Sequence, residues 1–568
     1  MKNLHLYIGG MALLISNAIS PLAAIPDEDP VSKSIQLEIQ RSMEGLKLDN
    51  VVAPCFIDYR MNALNNLNIK AVLGALTRND EQSLYNGAAN VVVGDYENTN
   101  QNTVTSWQQL YQYEFTYPTR MVSGTDEQAI RTEVWRTLDG MYKSAAEQYN
   151  NKQSILKQSE IPEAEKNIPD FQRKEPIIAL FPARPLKYET EKLVEYIKEA
   201  SRVFSDYQEI NDSHVRLYAG SADIRYINSE GTTCRYPNNM IALFIFTKGQ
   251  AADGEEIVMN NCLPYESFEE LPTLNQLKDI CKRQAESLLN KLAAPQIDEA
   301  YVGPVLFEGE AVADLVSKLL VNKENGILAQ RKSVVSADIR KFYSNHPSIY
   351  GNALDAFVNK KVISRDLSLI SMTGTEIYNN KKLFGYYPID AQGVIPDKSC
   401  PLIRDGVLVN MLTSRTPTLA FRSSNGHARA TIDGRLTDVY PGVLRLCSKK
   451  TCPDAELKQK LIASAREEDY TYAYIIRKLD NDTPVQIYRI DVADGSEKLI
   501  RGAIVKDLML RSLKRIAGVS DREIICNRIF NDLKTSYIVP SAILLEEVDI
   551  VKNMKIEFKK PFIVSRPE

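Results

Sequence analysis

The stretch Tyr301-Val-Gly-Pro-Val-Leu-Phe-Glu-Gly-Glu-Ala-Val-Ala-Asp-Leu-Val-Ser-Lys-Leu-Leu320 decides how the chain is read. Pro304 to Phe307 is a short apolar run of the kind that forms a buried strand. From Glu310 the pattern turns helical, with Val312, Leu315, Val316 and Leu319 at i, i+3, i+4 and i+7. A strand that runs straight into a helix places the residues at the junction where backbone donors and side chains can meet a ligand. Here those residues are Phe307, Glu308, Gly309 and Glu310. A hydrolytic zinc site on such a helix needs histidines on one face and a glutamate as general base. The glutamates are present and the histidines are not.

Outward from that stretch, 568 residues suggest two large units, and 44% hydrophobic with 25% charged residues is enough to bury sizeable cores. The net charge is only −4, with no Lys/Arg block or basic-aromatic stripe, so nucleic acid is not an expected partner. No P-loop and no Gly-x-Gly-x-x-Gly after a strand supports nucleotide binding. Lys2, the apolar core Leu6 to Ile19 and the small residues of Pro21-Leu-Ala-Ala24 read as a secretory signal over residues 1–24. The expectation is export to the periplasm or the extracellular space, with no membrane span left after cleavage. Among eight cysteines, Cys447 and Cys452 flank a short polar loop and are the expected disulfide pair; Cys281 sits on the apolar face of an expected helix. No Cys-x-x-Cys with metal spacing occurs.

The organisation reads as α+β: a mixed N-terminal α/β domain over residues 25–295, then a β-rich domain over 296–568. Helices are expected over 33–49, 126–157, 186–207, 457–468 and 506–517, and after Thr273, where Thr273-x-x-Gln276 is a capping box. Asn50 to Gly94 reads as several short strands. Ser213 to Asn228 reads as strand ending in an Asn228-Ser-Glu-Gly231 turn, and Met240 to Thr247 as a further strand. Residues 158–176 form a connector. Asp397 to Leu412 reads as two strands joined at Arg404-Asp-Gly406, because Asp-Gly is a tight-turn dipeptide.

Several of these pieces together resemble the TldD/PmbA family of peptidase-related, modulator-of-gyrase-like proteins. Leu402-Ile-Arg-Asp-Gly-Val-Leu408 is similar to its Leu-Ile-x-Asn-Gly-Val-Leu hairpin, and Asp390-Ala-Gln-Gly-Val394 to its Asp-x-x-Gly-Val segment. Ser423-Ser-Asn-Gly-His-Ala-Arg429 resembles its Ser-x-Gly-Asn-Gly-Arg loop, and Arg501-Gly502 an Arg-Gly step after a late strand. Tyr226-Ile-Asn-Ser-Glu-Gly231 resembles its N-terminal hairpin. Val91-Val-Val-Gly-Asp95 and Glu133-Val-Trp-Arg136 look like the enlarged, exported members. The resemblance implies an α/β domain followed by a β-rich one. It also implies assembly, as homo- or hetero-oligomers with a family relative, around a chamber that acts on peptides. One kind of member carries His-Glu-x-x-x-His on a helix and cuts peptides with zinc. The other has lost the histidines and partners the first.

This chain resembles the second kind. Aligned on the glutamate, Phe307 and Val312 stand where the histidines belong and Glu308 where the base belongs. Aligned on the Pro-Val-Leu-Phe run, the histidine places fall on Glu308 and Ala313. Both registers stay open, and neither supplies a histidine. Of the four histidines, His5, His214, His346 and His427, only His427 lies in a motif that the resemblance brings to the cleft, beside Asn425 and Gly426. Those three with Glu308 and Glu310 are the candidate cleft residues. The bland readings are a glycine-dependent turn for Asn425 to His427, helix-end charges for Glu308 and Glu310, and a solvated face for Asp314. Cys526 reads as a core residue or half of a disulfide rather than a third ligand. The expectation is a zinc-deficient, non-catalytic subunit with no cofactor. The alternatives are an active metallopeptidase with unusual ligands around Glu308, Glu310 and His427, and a stand-alone peptide- or envelope-binding protein.

Overall fold

The computed structural model describes residues 29–568 apart from 50, 105–118, 159–164, 166, 343–345, 563, 565 and 568. The expected signal peptide and part of the 158–176 connector lie outside the described residues. Helix α1 (Pro30–Gly45) opens the described chain, with Asp29 capping it by accepting from the Val31 N–H. Strands β1 (Pro54–Val72) and β2 (Ala75–Val93) follow as one antiparallel hairpin of two 19-residue strands. The short strands expected here are thus two long ones. The outer half of β2 is polar and exposed, so it carries no alternation to read; pairing with β1 holds it extended. The turn uses Leu73 and Gly74, both at positive φ, as a two-residue hairpin requires.

Helices α2 (Glu127–Gln158) and α3 (Thr190–Arg202) come next. Then come β3 (Ile210–Asn228), β4 (Thr233–Gln250), β5 (Glu256–Tyr265) and α4 (Leu274–Ala293). In the N-terminal sheet β2, β1, β3 and β4 lie side by side, and β5 pairs with β4. Strand alternation divides its faces. Ile57, Tyr59 and Met61 point to α1 and α2, and Leu67, Ile69 and Ala71 to α3 and α4. The opposite face, with Leu64, Ile224, Tyr226 and Tyr236, packs on Phe384, Ile389 and Ile432 from the C-terminal half. The Thr273/Gln276 capping box forms as expected, and Cys281 is fully buried.

The C-terminal half opens with β6 (Tyr301–Glu308) and α5 (Glu310–Leu320). One sheet there contains β7 (Leu367–Ser371), β8 (Cys400–Arg404), β9 (Val407–Leu408) and β10 (Val443–Ser448). After α6 (Asp454–Glu467), β11 (Tyr472–Asp480), β12 (Thr483–Asp491), β13 (Glu497–Ile500), β14 (Ala503–Lys506) and β15 (Ile516–Val519) belong to a second sheet. Then β16 (Glu523–Phe530) and β17 (Leu533–Pro540) complete the first sheet in the order β9-β8-β7-β10-β17-β16, and β18 (Ala542–Lys552) joins the second, ordered β13-β12-β11-β6-β18-β14. Strand β6 lies between β11, parallel, and β18, antiparallel. A strand inside a sheet whose faces are both covered reads as a continuous apolar run, which is the pattern of Pro304 to Phe307.

Two expectations fail here. Residues 506–517 do not form a helix. Asp507 takes a left-handed φ of 51°, only a short turn forms at Leu510–Lys514, and Ile516 to Val519 pair with β18 instead. The apolar spacing was helical, but sheet pairing overrode it. The Cys447–Cys452 disulfide is not formed: Cys447 lies on β10 opposite Ser368, and Cys452 contacts the Lys460 ammonium, each as a free thiol. The Asp405-Gly406 hairpin is as expected, both residues at positive φ. Among the described residues no helix is long and apolar enough to cross a membrane.

Candidate functional site

Gly309 separates strand from helix at φ 61° and ψ −129°, so the motif place does not lie on one helix. Phe307 and Glu308 end β6, and the helix starts at Glu310. Phe307 and Val312 are fully buried, and so is Ala313. Helix α5 is apolar nearly all round, with Ala311, Val312, Ala313, Leu315, Val316, Leu319 and Leu320 buried, as a helix enclosed by protein must be. In either register, at least one histidine place points into a packed core.

The acidic side chains at the junction already have cationic partners. Glu308 pairs with Arg477 at 2.9 Å, Arg477 also holds Glu497 at 2.8 Å, and Lys458 closes that chain on Glu497 at 2.8 Å. The Arg477 guanidinium stacks 4.5 Å from the Tyr488 ring centre. Glu310 faces Lys478 at 3.5 Å. Asp314, expected on a solvated face, is instead only 11% exposed: it pairs with Arg528 and accepts the Leu479 N–H at 3.0 Å. Arg528 also donates to the Glu310 carbonyl at 3.2 Å. Arg477 and Lys478 directly follow the apolar run Ala473 to Ile476, where sequence reading sees a solvated strand end. Their role depends on β11 lying beside β6, which the sequence alone does not announce.

Asn425, Gly426 and His427 form a separate cluster at the end of β7. Asp390 accepts the N–H groups of Gln392 and Val394, both at 2.8 Å, and of Ala428 at 3.0 Å, so the two loop motifs from the sequence are tied together by one carboxylate. Burial nevertheless pushes that carboxyl up to about 6, against those N–H bonds. Gly426 has φ 81°, and a Cβ there would lie 2.7 Å from the Pro396 Cα; a glycine is required. His427 is fully buried. Its Nδ1 is 2.8 Å from Asn425 Oδ1, and its Nε2 is 2.8 Å from Ser371 Oγ and 3.2 Å from Thr373 Oγ1. Asn425 Oδ1 accepts the Thr413 N–H while its Nδ2 donates to the Met411 carbonyl, which fixes the amide orientation. His427 therefore donates from Nδ1 and accepts at Nε2. Burial, helped by the nearby Arg429 charge, pushes its pKa down to about 3.

Ser371, His427 and Asn425 thus have the connectivity of a nucleophile, a base and its orienting group. Ser371 and Thr373 are as fully buried as His427, so no substrate carbonyl can reach the hydroxyl. The cluster is a structural knot. Ser371 and Thr373 were missed in the sequence, where neither lies in a recognised motif. A concavity of about 360 Å³ lies between α1 and α2, lined among others by Glu38, Arg131 and Trp135, and contains no residue of either cluster.

A third set of residues joins the two halves. Arg415, 1% exposed, pairs with Glu230 at 2.7 Å and donates to the Gln172 carbonyl. Arg501, from the Arg-Gly step, pairs with Asp253 at 2.7 Å and with Glu255, and donates to the Ala294 carbonyl at 2.8 Å. The recognised Asn228-Ser-Glu-Gly231 turn and Arg501-Gly502 step therefore hold the N- and C-terminal halves against each other.

Residues 300–552 match the family model described as the PmbA/TldA metallopeptidase C-terminal domain. No curated protein sequence matches the chain. Three solved structures share its fold. A protein described as a modulator of DNA gyrase from Thermotoga maritima is 13% identical, with 87% of this chain and 96% of that one covered and a TM-score of 0.56. TldE from Thermococcus kodakarensis is 12% identical, with 91% and 100% covered and a TM-score of 0.55. A protein described as a modulator of DNA gyrase from Bacteroides thetaiotaomicron is 10% identical, with 92% and 99% covered and a TM-score of 0.54.

The metallopeptidase description invites a test of whether this chain's residues fit a zinc ion. A catalytic zinc takes three protein ligands from His, Cys, Asp or Glu and one open position. Among the described residues no three such groups are placed to share a metal. Glu308 and Asp314 are held by arginines, and the partly buried Cys526 thiol is pushed up to about 11 and stays protonated. The donor set does not fit zinc.

Proposed function

Because the chain is a member of the TldD/PmbA family, we propose that it is an exported, non-catalytic subunit of a peptidase-like assembly. In this reading it holds a peptide or completes a chamber with a family relative, and the hydrolytic step belongs to that relative. The observation that carries the reading is the replacement of metal-binding chemistry at the strand–helix junction by protein cations. Where a zinc centre needs neutral imidazoles and an open site, this chain has Phe307 and Val312 in the core and Arg477, Lys478 and Arg528 on its carboxylates. The expected export rests on the apolar N-terminal segment of the sequence.

The test is metal content and peptide hydrolysis measured on one sample of pure protein. The expected result is substoichiometric zinc and no chelator-sensitive cleavage. Stoichiometric zinc with cleavage abolished by Glu308→Gln would establish the active-metallopeptidase reading instead. A histidine-bearing relative that co-purifies supports the paired-subunit view; a protein that purifies alone and binds peptide supports the stand-alone view.

A further inference from the structure

Among the described residues, the outer half of β2 is bonded on one side only. Strand β1 pairs with it from Val72 back to Leu64, and among the described residues nothing lies on its other side until Thr119–Arg120 meets Asn86 and Gly87. Ala75 to Ser83 is largely exposed and contains neither proline nor glycine. The edge is held in place. The Gly74 N–H at the hairpin tip donates to Ser201 Oγ at 2.9 Å, and the Tyr188 hydroxyl donates to Glu81 at 2.5 Å. An exposed edge of this length offers a row of unpaired N–H and C=O groups.

Which residues face outward follows from one bond. The Met121 N–H donates to the Tyr85 carbonyl at 2.7 Å on the outer side. In an antiparallel ladder the N–H and C=O of one residue point the same way and alternate along the strand. Ser83, Glu81 and Asn79 therefore present both groups outward, while Arg78 and Asp80 stand between them, their side chains on one face and paired with each other. We propose that this edge pairs antiparallel with the same edge of a second copy of the chain, on a two-fold axis at Asn79.

Charge selects that register. A two-fold antiparallel pairing that joins outward-facing residues must have its axis at a residue. An axis at Asp80 sets Asp80 against Asp80, and one at Glu81 sets Glu81 against Glu81. The axis at Asn79 sets Arg78 opposite the second copy's Asp80 twice. With the pair already within each chain, four charges then alternate in sign around the axis. Charged edges usually blunt pairing by like-charge repulsion; here the alternation makes the edge attractive to itself. The inference rests on the assembly part of the reading above and on nothing about peptides.

The experiment is light scattering coupled to gel filtration of the purified chain, with three variants. The expected result is a dimer that Asp80→Arg weakens about tenfold and that the double variant Arg78→Asp, Asp80→Arg restores. Asn79→Cys is expected to give a covalent dimer under mild oxidation, with wild type, which carries its own exposed Cys262, as the control. A monomer at concentrations up to about 0.1 mM overturns the proposal. A dimer indifferent to Asp80→Arg, with no cross-link at Asn79→Cys, overturns it while leaving assembly through another surface standing. So does an extended peptide that protects the Asn79 and Glu81 amides from exchange in a monomer.

Discussion

Two polar clusters stand in the C-terminal half, and they solve burial differently. At the strand–helix junction, Glu308, Glu310 and Asp314 are each paired with a cation, Arg477, Lys478 and Arg528 in turn, and the site stays partly exposed. The Ser371–His427–Asn425 knot is buried, and the nearby Arg429 charge opposes an imidazolium, so the ring stays neutral and both its nitrogens are hydrogen-bonded. The first arrangement is electrostatic and half wet; the second is a neutral hydrogen-bond network. Desolvating a charge costs far more than desolvating a paired neutral group, so the deeper site holds the neutral chemistry. Catalytic-looking connectivity in this chain therefore appears in the place least able to use it.

The comparison can be broken most severely at His427. Replacing it with Asn removes buried ring atoms and leaves Ser371 or Thr373 without its acceptor, for an expected loss of about 3 kcal/mol at pH 7 by urea unfolding. The pH dependence sharpens this. The folded His427 pKa, about 3, lies below its unfolded value near 6.5. Its contribution is therefore complete above pH ~6.5 and falls as pH drops toward 3, by about 1.4 kcal/mol per unit. The Asp58 and Asp390 carboxyls, pushed up to about 6 mainly by burial, act in the opposite sense: they add stability as pH falls through about 6. The difference between wild type and His427→Asn isolates the histidine. That gap is expected to narrow below pH ~6.5; a gap constant from pH 7 to 5 would mean that the folded histidine is freely protonated.

A smaller effect is expected at the junction. Asp314→Ala leaves Arg528 beside a carbonyl but without its carboxylate, at an expected cost of about 2 kcal/mol, because the pair is only partly buried. Urea unfolding in low and high salt checks it; a loss under 0.5 kcal/mol would class the pair with ordinary surface bridges. The smallest change is Glu310→Ala. Its side chain is 57% exposed and sits 3.5 Å from Lys478 in the first turn of α5, so about 0.5 kcal/mol or less is expected. A large loss there would show that Glu310 does more than complement a helix end.

Much of the fold was legible because it follows from local pattern. The Pro304 to Phe307 run, the α5 stripe, the Thr273 capping box and the Asp405-Gly406 turn are each set by residues within a few positions of one another. The candidate site was legible only as a set of places. That Phe307 and Val312 replace histidines can be read directly, yet nothing near residue 314 says that Arg528 will neutralise it across 214 positions of chain. The expected 506–517 helix shows the limit from the other side: its spacing was helical, and pairing with β18 outweighed it.

The sequence by itself determined the strand–helix junction, the motif loops, the glycine at 426 and the missing imidazoles, because backbone conformation and side-chain identity are local properties. Tertiary structure alone decided that the junction's carboxylates are paired with arginines and a lysine, that His427 is an interior hydrogen-bond partner, and that Cys447 and Cys452 are free thiols. It also decided that, among the described residues, β2 has a strand along only one flank of its outer half. Each depends on which distant strand lies alongside, and burial and charge pairing act only once that neighbour is in place.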